Sequence, residues 1–246
     1  MKKYLPFILL VLGIVVVVVV LVFLKGKKDI PPEETETVPE VAFDLRPVAS
    51  LTPSEDGHWL KLKIQKIQIE AATVDYELLY RLPDGRTQGV PGTVNLEGKT
   101  ELERDLLLGS ESSGKFRYDE GVKEGSLTLR FRNEKGKLAA KFSTDFILLS
   151  EALLLTSADG KFTATLSGKA TAFFVVMQTF GVTDNPPSEV LSGPYGLFSS
   201  DTGKIPALVK MESYKAYRHI TGSRWAIHQD NDNINDSDTH IFVGTN

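Results

Sequence analysis

Residues 4–24, YLPFILLVLGIVVVVVVLVFL, run without a charge and without a polar side chain beyond Tyr4, and include six consecutive valines. In water valine is a poor helix former, because its β-branched side chain loses χ1 freedom. In lipid that preference is overruled. A lone strand would leave its N–H and C=O groups without partners, whereas a helix satisfies them all within one segment. At ~1.5 Å per residue this run reaches about 31 Å, which matches a hydrocarbon core of ~30 Å. Pro6 falls near the first turn, where its missing N–H costs little.

A cleaved signal peptide would have a shorter apolar core followed by small residues at a cleavage site. Here the run ends in Lys25-Gly26-Lys27-Lys28, and the first alanine after it is Ala42. The reading is an uncleaved signal anchor: a single transmembrane helix over 4–24. Lys2 and Lys3 face Lys25, Lys27 and Lys28, so the flanking charges nearly balance. Residues 1–3 are expected in the cytoplasm and the remainder outside, since long domains translocate largely regardless of flanking charge.

Of the 28 basic residues five lie within 1–28, together with none of the 32 acidic ones. Residues 29–246 thus carry 23 basic against 32 acidic groups, a net charge of −9. Such a body repels phosphate backbones, which argues against nucleic acid as a partner. There is no cysteine. Disulfides, thiolate nucleophiles, cysteine-bound zinc and iron–sulfur clusters are excluded together.

Residues 25–40 divide into a basic juxtamembrane stretch and DIPPEETETVPE, which has three prolines, five acids and no base. It cannot bury apolar surface, and its prolines and mutual repulsion keep it extended. It reads as a stalk.

Beyond it the hydrophobic period becomes two. In WLKLKIQKIQIE, Leu60, Leu62 and Ile64 alternate with polar residues, and Ile67 and Ile69 resume one step out of phase. That slip predicts a β-bulge near Gln65-Lys66. TVDYELLYRL closes on the turn Pro83-Asp84-Gly85. In SLTLRFRNEKGKLAAKFSTDF, Leu127, Leu129 and Phe131 share a face, residues 133–136 turn, and Leu138, Ala140 and Phe142 return. EALLLTSADGKFTATL gives another hairpin, turning at 157–160. ATAFFVVMQTF is apolar on both sides near 173–176, as in a central strand covered on both faces. Residues 181–204 hold three prolines and four glycines and predict a long loop, while GSESSG at 109–114 predicts a mobile interstrand loop. No sustained 3.6-residue period appears after the apolar run.

These patterns predict an all-β body of two antiparallel β-sandwiches, 41–149 and 150–246, behind the anchor. The strand spacing resembles that of immunoglobulin-like and fibronectin-III-like modules. The cysteine and tryptophan signature of true immunoglobulin domains is missing, so the resemblance covers architecture alone.

The chemistry-bearing stretch is the C-terminal WAIHQDNDNINDSDTHIFVG. A hairpin pairing Gln229 with Thr239 would put Trp225, Ile227, Ile241 and Val243 on one face. Ala226, His228, His240 and Phe242 would share the other, with the two imidazoles about 5 Å apart. His228, Asp230, Asp232, Asp236, Asp238 and His240 are thereby candidate ligands for calcium or zinc. The loop departs from an EF-hand, since Ile234 holds its fifth place and the glycine and glutamate are absent. The favoured reading of the stretch is nonetheless a solvated turn whose Asp and Asn side chains bond their own backbone, with no cofactor, and a calcium or zinc site is the alternative.

His58 and His219 have no evident partner. Glu111 stands where a nucleophile elbow needs serine, and no phosphate-binding loop or dinucleotide fingerprint is present. Tyr195, Leu197 and Phe198 in SGPYGLFSS are the candidate partner-binding loop, although the commoner arrangement for such a segment, and the favoured one, tucks these side chains beneath the loop as a satellite cluster. The functional expectation is a non-catalytic, single-pass protein of the cell membrane. It binds a protein partner at the surface as an envelope scaffold, adhesin-like module or accessory subunit. The alternative is a metal- or ligand-binding sensor using the C-terminal hairpin.

Overall fold

The alternation read from the sequence becomes strands almost throughout. The computed structural model describes residues 38, 40–168, 171–186, 188–201, 203, 206–211, 215–220, 224–228, 232–233 and 240–245, with backbone alone at 215–220 and 232–233. The expected span 4–24 and most of the stalk lie outside the described residues. Among the described residues helix is confined to one 3-10 turn, Phe43–Leu45, and no helix is long and apolar enough to cross a membrane.

The first strands are β1 (Val48–Pro53), β2 (Trp59–Gln65), β3 (Thr73–Arg81), β4 (Thr87–Asn95) and β5 (Leu102–Leu107). A short hairpin follows, β6 (Gly109–Ser112) and β7 (Lys115–Tyr118). Next come β8 (Glu124–Arg132), β9 (Leu138–Ser150), β10 (Leu154–Thr156), β11 (Phe162–Leu166) and β12 (Phe173–Gln178). The chain closes with β13 (Ser192–Ser199), β14 (Pro206–Met211), β15 (Lys215–Ile220), β16 (Arg224–Ile227), β17 (Asp232–Asn233) and β18 (His240–Thr245).

Nine of these form one sheet in the order β16-β15-β18-β13-β12-β9-β8-β3-β4. A three-stranded sheet, β1-β2-β5, and a four-stranded sheet, β10-β11-β14-β17, accompany it, and β6-β7 stands apart as a two-stranded ribbon. Every strand pairing is antiparallel. The boundary expected between 149 and 150 falls at the last residues of β9, and β9 pairs with β12 there, Phe173 against Ser150 and Phe174 against Leu149.

Alternate residues of β12 enter different cores. Val175 and Met177 join the core built by Leu51, Leu62, Leu127 and Phe131, beneath the three-stranded sheet. Phe174 and Val176 join the core of Phe162, Ala164, Tyr195 and Phe242, beneath the four-stranded one. β12 is therefore covered on both faces, as its unbroken apolar run predicts. A third cluster unites Val48, Val182, Ile241 and Val243, with Phe43 and Trp225 packed against it.

Part of the large sheet meets water. On β3 and β8 the outward residues form a charge ladder, Arg132 on Asp75 at 2.7 Å and Arg130 on Glu77 at 3.0 Å. Thr93 also donates to Asp75 at 2.8 Å. Burial draws the Asp75 carboxyl upward, but the bonds from Arg132 and Thr93 and the arginine charges outweigh it and hold the group below the usual carboxylate range. One face apolar and the other charged is the usual signature of an antiparallel sheet with a solvated side.

Three expectations are corrected. The slip at Gln65-Lys66 is not a bulge within a strand: β2 ends at Gln65 and Lys66 turns the chain with φ +53°, so that Ile67 still buries. The stretch 109–114 is not a mobile loop but belongs to the β6–β7 hairpin, whose turn residues Ser113 and Gly114 both have positive φ, the requirement of a type I′ turn. The loop expected over 181–204 contains β13, an interior strand paired with both β12 and β18. Its glycines and proline were misleading: Gly193 and Pro194 sit at a register shift between Ser192 and Tyr195, where a missing N–H is tolerated.

Candidate functional site

The connection from β1 to β2 is a tight turn, with the Gly57 N–H donating to Ser54 O at 3.0 Å. Asp56 is fixed within it by the Ser54 hydroxyl and by the His58 backbone N–H at 3.1 Å. Those two bonds, the Ser54 hydroxyl first, hold its carboxyl below the usual range. Gly57 has φ +71°, and a Cβ there would fall 2.4 Å from the Phe173 ring, so any other residue would be strained and would displace that ring. Its geometry delivers His58 to one end of the three-stranded sheet, where the His58 carbonyl accepts from Leu108 N–H at 2.8 Å.

The β6–β7 hairpin leaves from Leu108 and returns at Asp119, whose N–H donates to Leu108 O at 2.9 Å. On β7, Phe116 and Tyr118 are two residues apart and lie on one face of the ribbon. The Tyr118 ring stacks on the His58 imidazole with centroids 4.2 Å apart and planes 9° from parallel. Phe116 lies beside Tyr118 at 6.2 Å and 8°, and meets the edge of Trp59 at 5.6 Å and 70°. Phe116 nonetheless stays 46% exposed and Tyr118 38%.

Beyond β7 the chain brings two further acids. Tyr80, buried below, donates its hydroxyl to Asp119 at 2.8 Å. Burial and that carboxylate push the Tyr80 hydroxyl far above its ordinary range. Glu120 places Oε1 3.2 Å from His58 Nε2, while Asp56 Oδ2 lies 3.2 Å from His58 Nδ1. The first contact has hydrogen-bond geometry. The second is a close approach without that alignment, and Nδ1 is buried and makes no hydrogen bond. The imidazole therefore stands with a carboxylate at each nitrogen and an aromatic ring on one face. A cleft of about 290 Å³ opens beside it, lined by Asp56, His58, Asp119, Glu120, Lys123 and Phe173.

The C-terminal candidates are arranged differently from the expected hairpin. β16 and β18 do not pair: β15 lies between them, with Tyr217 opposite Ile227 on one side and Val243 on the other. The direct pairing expected between the flanking strands is thereby corrected, while Gln229 and Thr239 themselves lie outside the described residues. Inserting a strand leaves the parity of faces intact, so Trp225, Ile241 and Val243 still share one cluster. His228 and His240 still flank Phe242, with ring centroids 5.5 and 6.5 Å from it. His228 Nε2 contacts Ala207 O at 3.0 Å, and His240 is buried opposite Leu197. Asp230, Asp236 and Asp238 lie outside the described residues, as does the side chain of Asp232. Among the described residues no group of three or more metal-ligating side chains is placed to hold an ion.

Tyr195, Leu197 and Phe198 do not form an exposed loop. They are 1%, 2% and 7% exposed within β13, because an interior strand covered on both faces leaves neither side to solvent. Their place as exposed aromatics is taken by Phe116 and Tyr118, which sequence reasoning passed over. The signal was present in SSGKFRY: a Ser-Gly turn dipeptide followed by aromatics at period two. In comparisons with family models, curated proteins and solved structures, none matches this chain.

Proposed function

We propose that this chain is a single-pass, membrane-anchored protein whose β body lies outside the membrane and binds a protein partner there, without catalysis, as an envelope scaffold, adhesin-like module or accessory subunit. The observation that carries the reading is the β6–β7 hairpin. All four residues of β7 are exposed, no third strand joins the ribbon among the described residues, and two large rings remain half in water. A lone two-stranded ribbon is marginal by itself, and exposed aromatics with adjacent charge are the usual composition of a recognition surface. His58 Nε2 is hydrogen-bonded to Glu120 and Nδ1 faces Asp56, so the ring ties the segment after β7 to the β1–β2 turn. The anchor and its orientation rest on residues 4–24 and their flanks.

The body is read further as two sandwiches of immunoglobulin-like or fibronectin-III-like spacing, merged through β12. Support comes from the alternate residues of that strand entering separate cores.

The test is site-specific photo-crosslinking in intact cells. A photoreactive residue at position 116 should capture a discrete protein, one at position 93 on the charged sheet face should not, and Tyr118→Ala should reduce the capture at least fivefold. Equal capture from both positions, or none, overturns the reading. Externally added protease should shave the body from intact cells while leaving a fragment that retains residues 4–24.

A further inference from the structure

We propose that His58 is an acid-strengthened latch that clamps the β6–β7 hairpin to the body, so that protonation of one imidazole sets how firmly the Phe116–Tyr118 surface is presented. As a control of binding this rests on the hairpin being the partner-binding element. As chemistry it rests only on the surroundings of the ring.

Three elements meet at His58. Asp56, in the turn before β2, faces Nδ1 at 3.2 Å, and Glu120, in the segment after β7, faces Nε2 at 3.2 Å. Tyr118 of β7 covers the ring at 4.2 Å. The other charged groups lining the same cleft are Asp119, engaged by the Tyr80 hydroxyl, and Lys123; β9 and β12 contribute Leu148 and Phe173 without charge. A neutral imidazole has one N–H and one lone pair. In that form one nitrogen turns its lone pair on a carboxylate oxygen, and the contact repels. The imidazolium carries a proton on both nitrogens, attracts both carboxylates, and strengthens its stack on the Tyr118 ring through cation–π attraction. Histidine is the side chain type that most readily changes charge near neutral pH, so acid is the perturbation that tests the latch.

Both ends of the hairpin are involved. Tyr118 is its last residue and pairs with Gly109, its first. Glu120 follows two residues later, in a segment held by the bond from Asp119 N–H to Leu108 O. Loosening His58 therefore frees the ribbon at its base, where no third strand among the described residues supports it.

The test is hydrogen exchange on the full chain in detergent micelles, without a partner, at pH 5.5 and pH 8.0. Protection factors are referenced to the intrinsic exchange rate at each pH. Amides within 109–118 should be at least threefold better protected at pH 5.5, with β8 and β9 unchanged. Glu120→Gln, which keeps the side-chain size and removes one carboxylate charge, should at least halve that difference, and His58→Gln should abolish it. Because the Glu120 side chain is 81% exposed, its variant cannot fail through loss of the core. Wild-type protection indifferent to pH overturns the latch, as does a pH response that survives His58→Gln. Either result leaves the crosslinking reading of the hairpin standing, and failed crosslinking leaves the latch standing.

Discussion

Asp159 shows how much one side chain can fasten. It lies in the turn between β10 and β11, where Oδ2 accepts from the Tyr195 hydroxyl at 2.7 Å and from Gln178 Nε2 at 3.2 Å. Oδ1 accepts from the Ser157 hydroxyl and from Lys161 N–H at 3.1 Å. Burial raises the carboxyl, but Ser157 and Tyr195 outweigh it and hold the group below its ordinary value. A carboxylate depressed in the folded state stabilises above the unfolded range and loses that contribution as pH falls through the folded value. Asp159→Asn should therefore melt below wild type at pH 7, with the gap closing below about pH 4. Burial first, then Asp159, pushes the Tyr195 hydroxyl up to about 12. A raised hydroxyl works the other way: its contribution is whole below about pH 10 and disappears as pH rises toward that folded value. Tyr195→Phe should cost about 1 kcal/mol at pH 8, and less above pH 10. Thermal melts across the two pH ranges check both signs. Gly196 makes the complementary point about space. A Cβ there would lie 2.4 Å from the Phe198 ring and 2.8 Å from Thr179 Cγ2, so Gly196→Ala should cost about 1–3 kcal/mol by chemical denaturation.

At the scale of elements, hairpins whose alternation runs long and whose turn carries its own chemistry were legible. β8 follows its expected face, with Leu127, Leu129 and Phe131 fully buried, and on β9 Ala140 and Phe142 return to the same core, but a register shift sets Leu138 opposite Arg132 and outside it. Asn133 Oδ1 accepts from Lys135 and Lys137 N–H across the turn. β13 was not legible, because glycine and proline signal a turn locally, whereas here Gly196 makes room for the Phe198 ring and Pro194 sits at a bulge. The cluster at His58 was hidden for a different reason. Asp56, His58, Tyr118 and Glu120 converge only when β6–β7 folds back over β2, and a separation of 62 residues leaves no period to detect. That ribbon carries its own prediction. Gly109 has φ +154°, and a Cβ would fall 2.2 Å from Arg117 O in the partner strand. Gly109→Ala should part Gly109 from Tyr118 and lower amide protection across 109–118 about tenfold, while protection in β3, β8 and β9 holds. Loss spread evenly over the body would show that the ribbon is not a separate opening unit.

For the whole molecule the consequential fact is that β12 belongs to two cores at once. Cutting the chain at 149/150 would strip Val175 and Met177 from one core and leave Phe174 and Val176 without the Leu149 and Ile147 strand beside them. Domains joined by a linker can each melt alone, whereas two cores sharing a buried strand lose a wall in common when either opens. Residues 38–246 also form one compact unit. Calorimetry should accordingly give one transition for the body, with the van't Hoff and calorimetric enthalpies agreeing. Phe174→Ala, a fully buried ring, should cost about 3–5 kcal/mol and move that single transition down without splitting it. Val175→Ala, facing the other core, should move the same transition by a smaller amount. If Phe174→Ala instead produced a second, earlier transition that left Trp59 fluorescence native, the two cores would be energetically independent and β12 a passive seam. The shared strand gives the opposite expectation: both substitutions, on opposite faces of one backbone, report to a single cooperative unit.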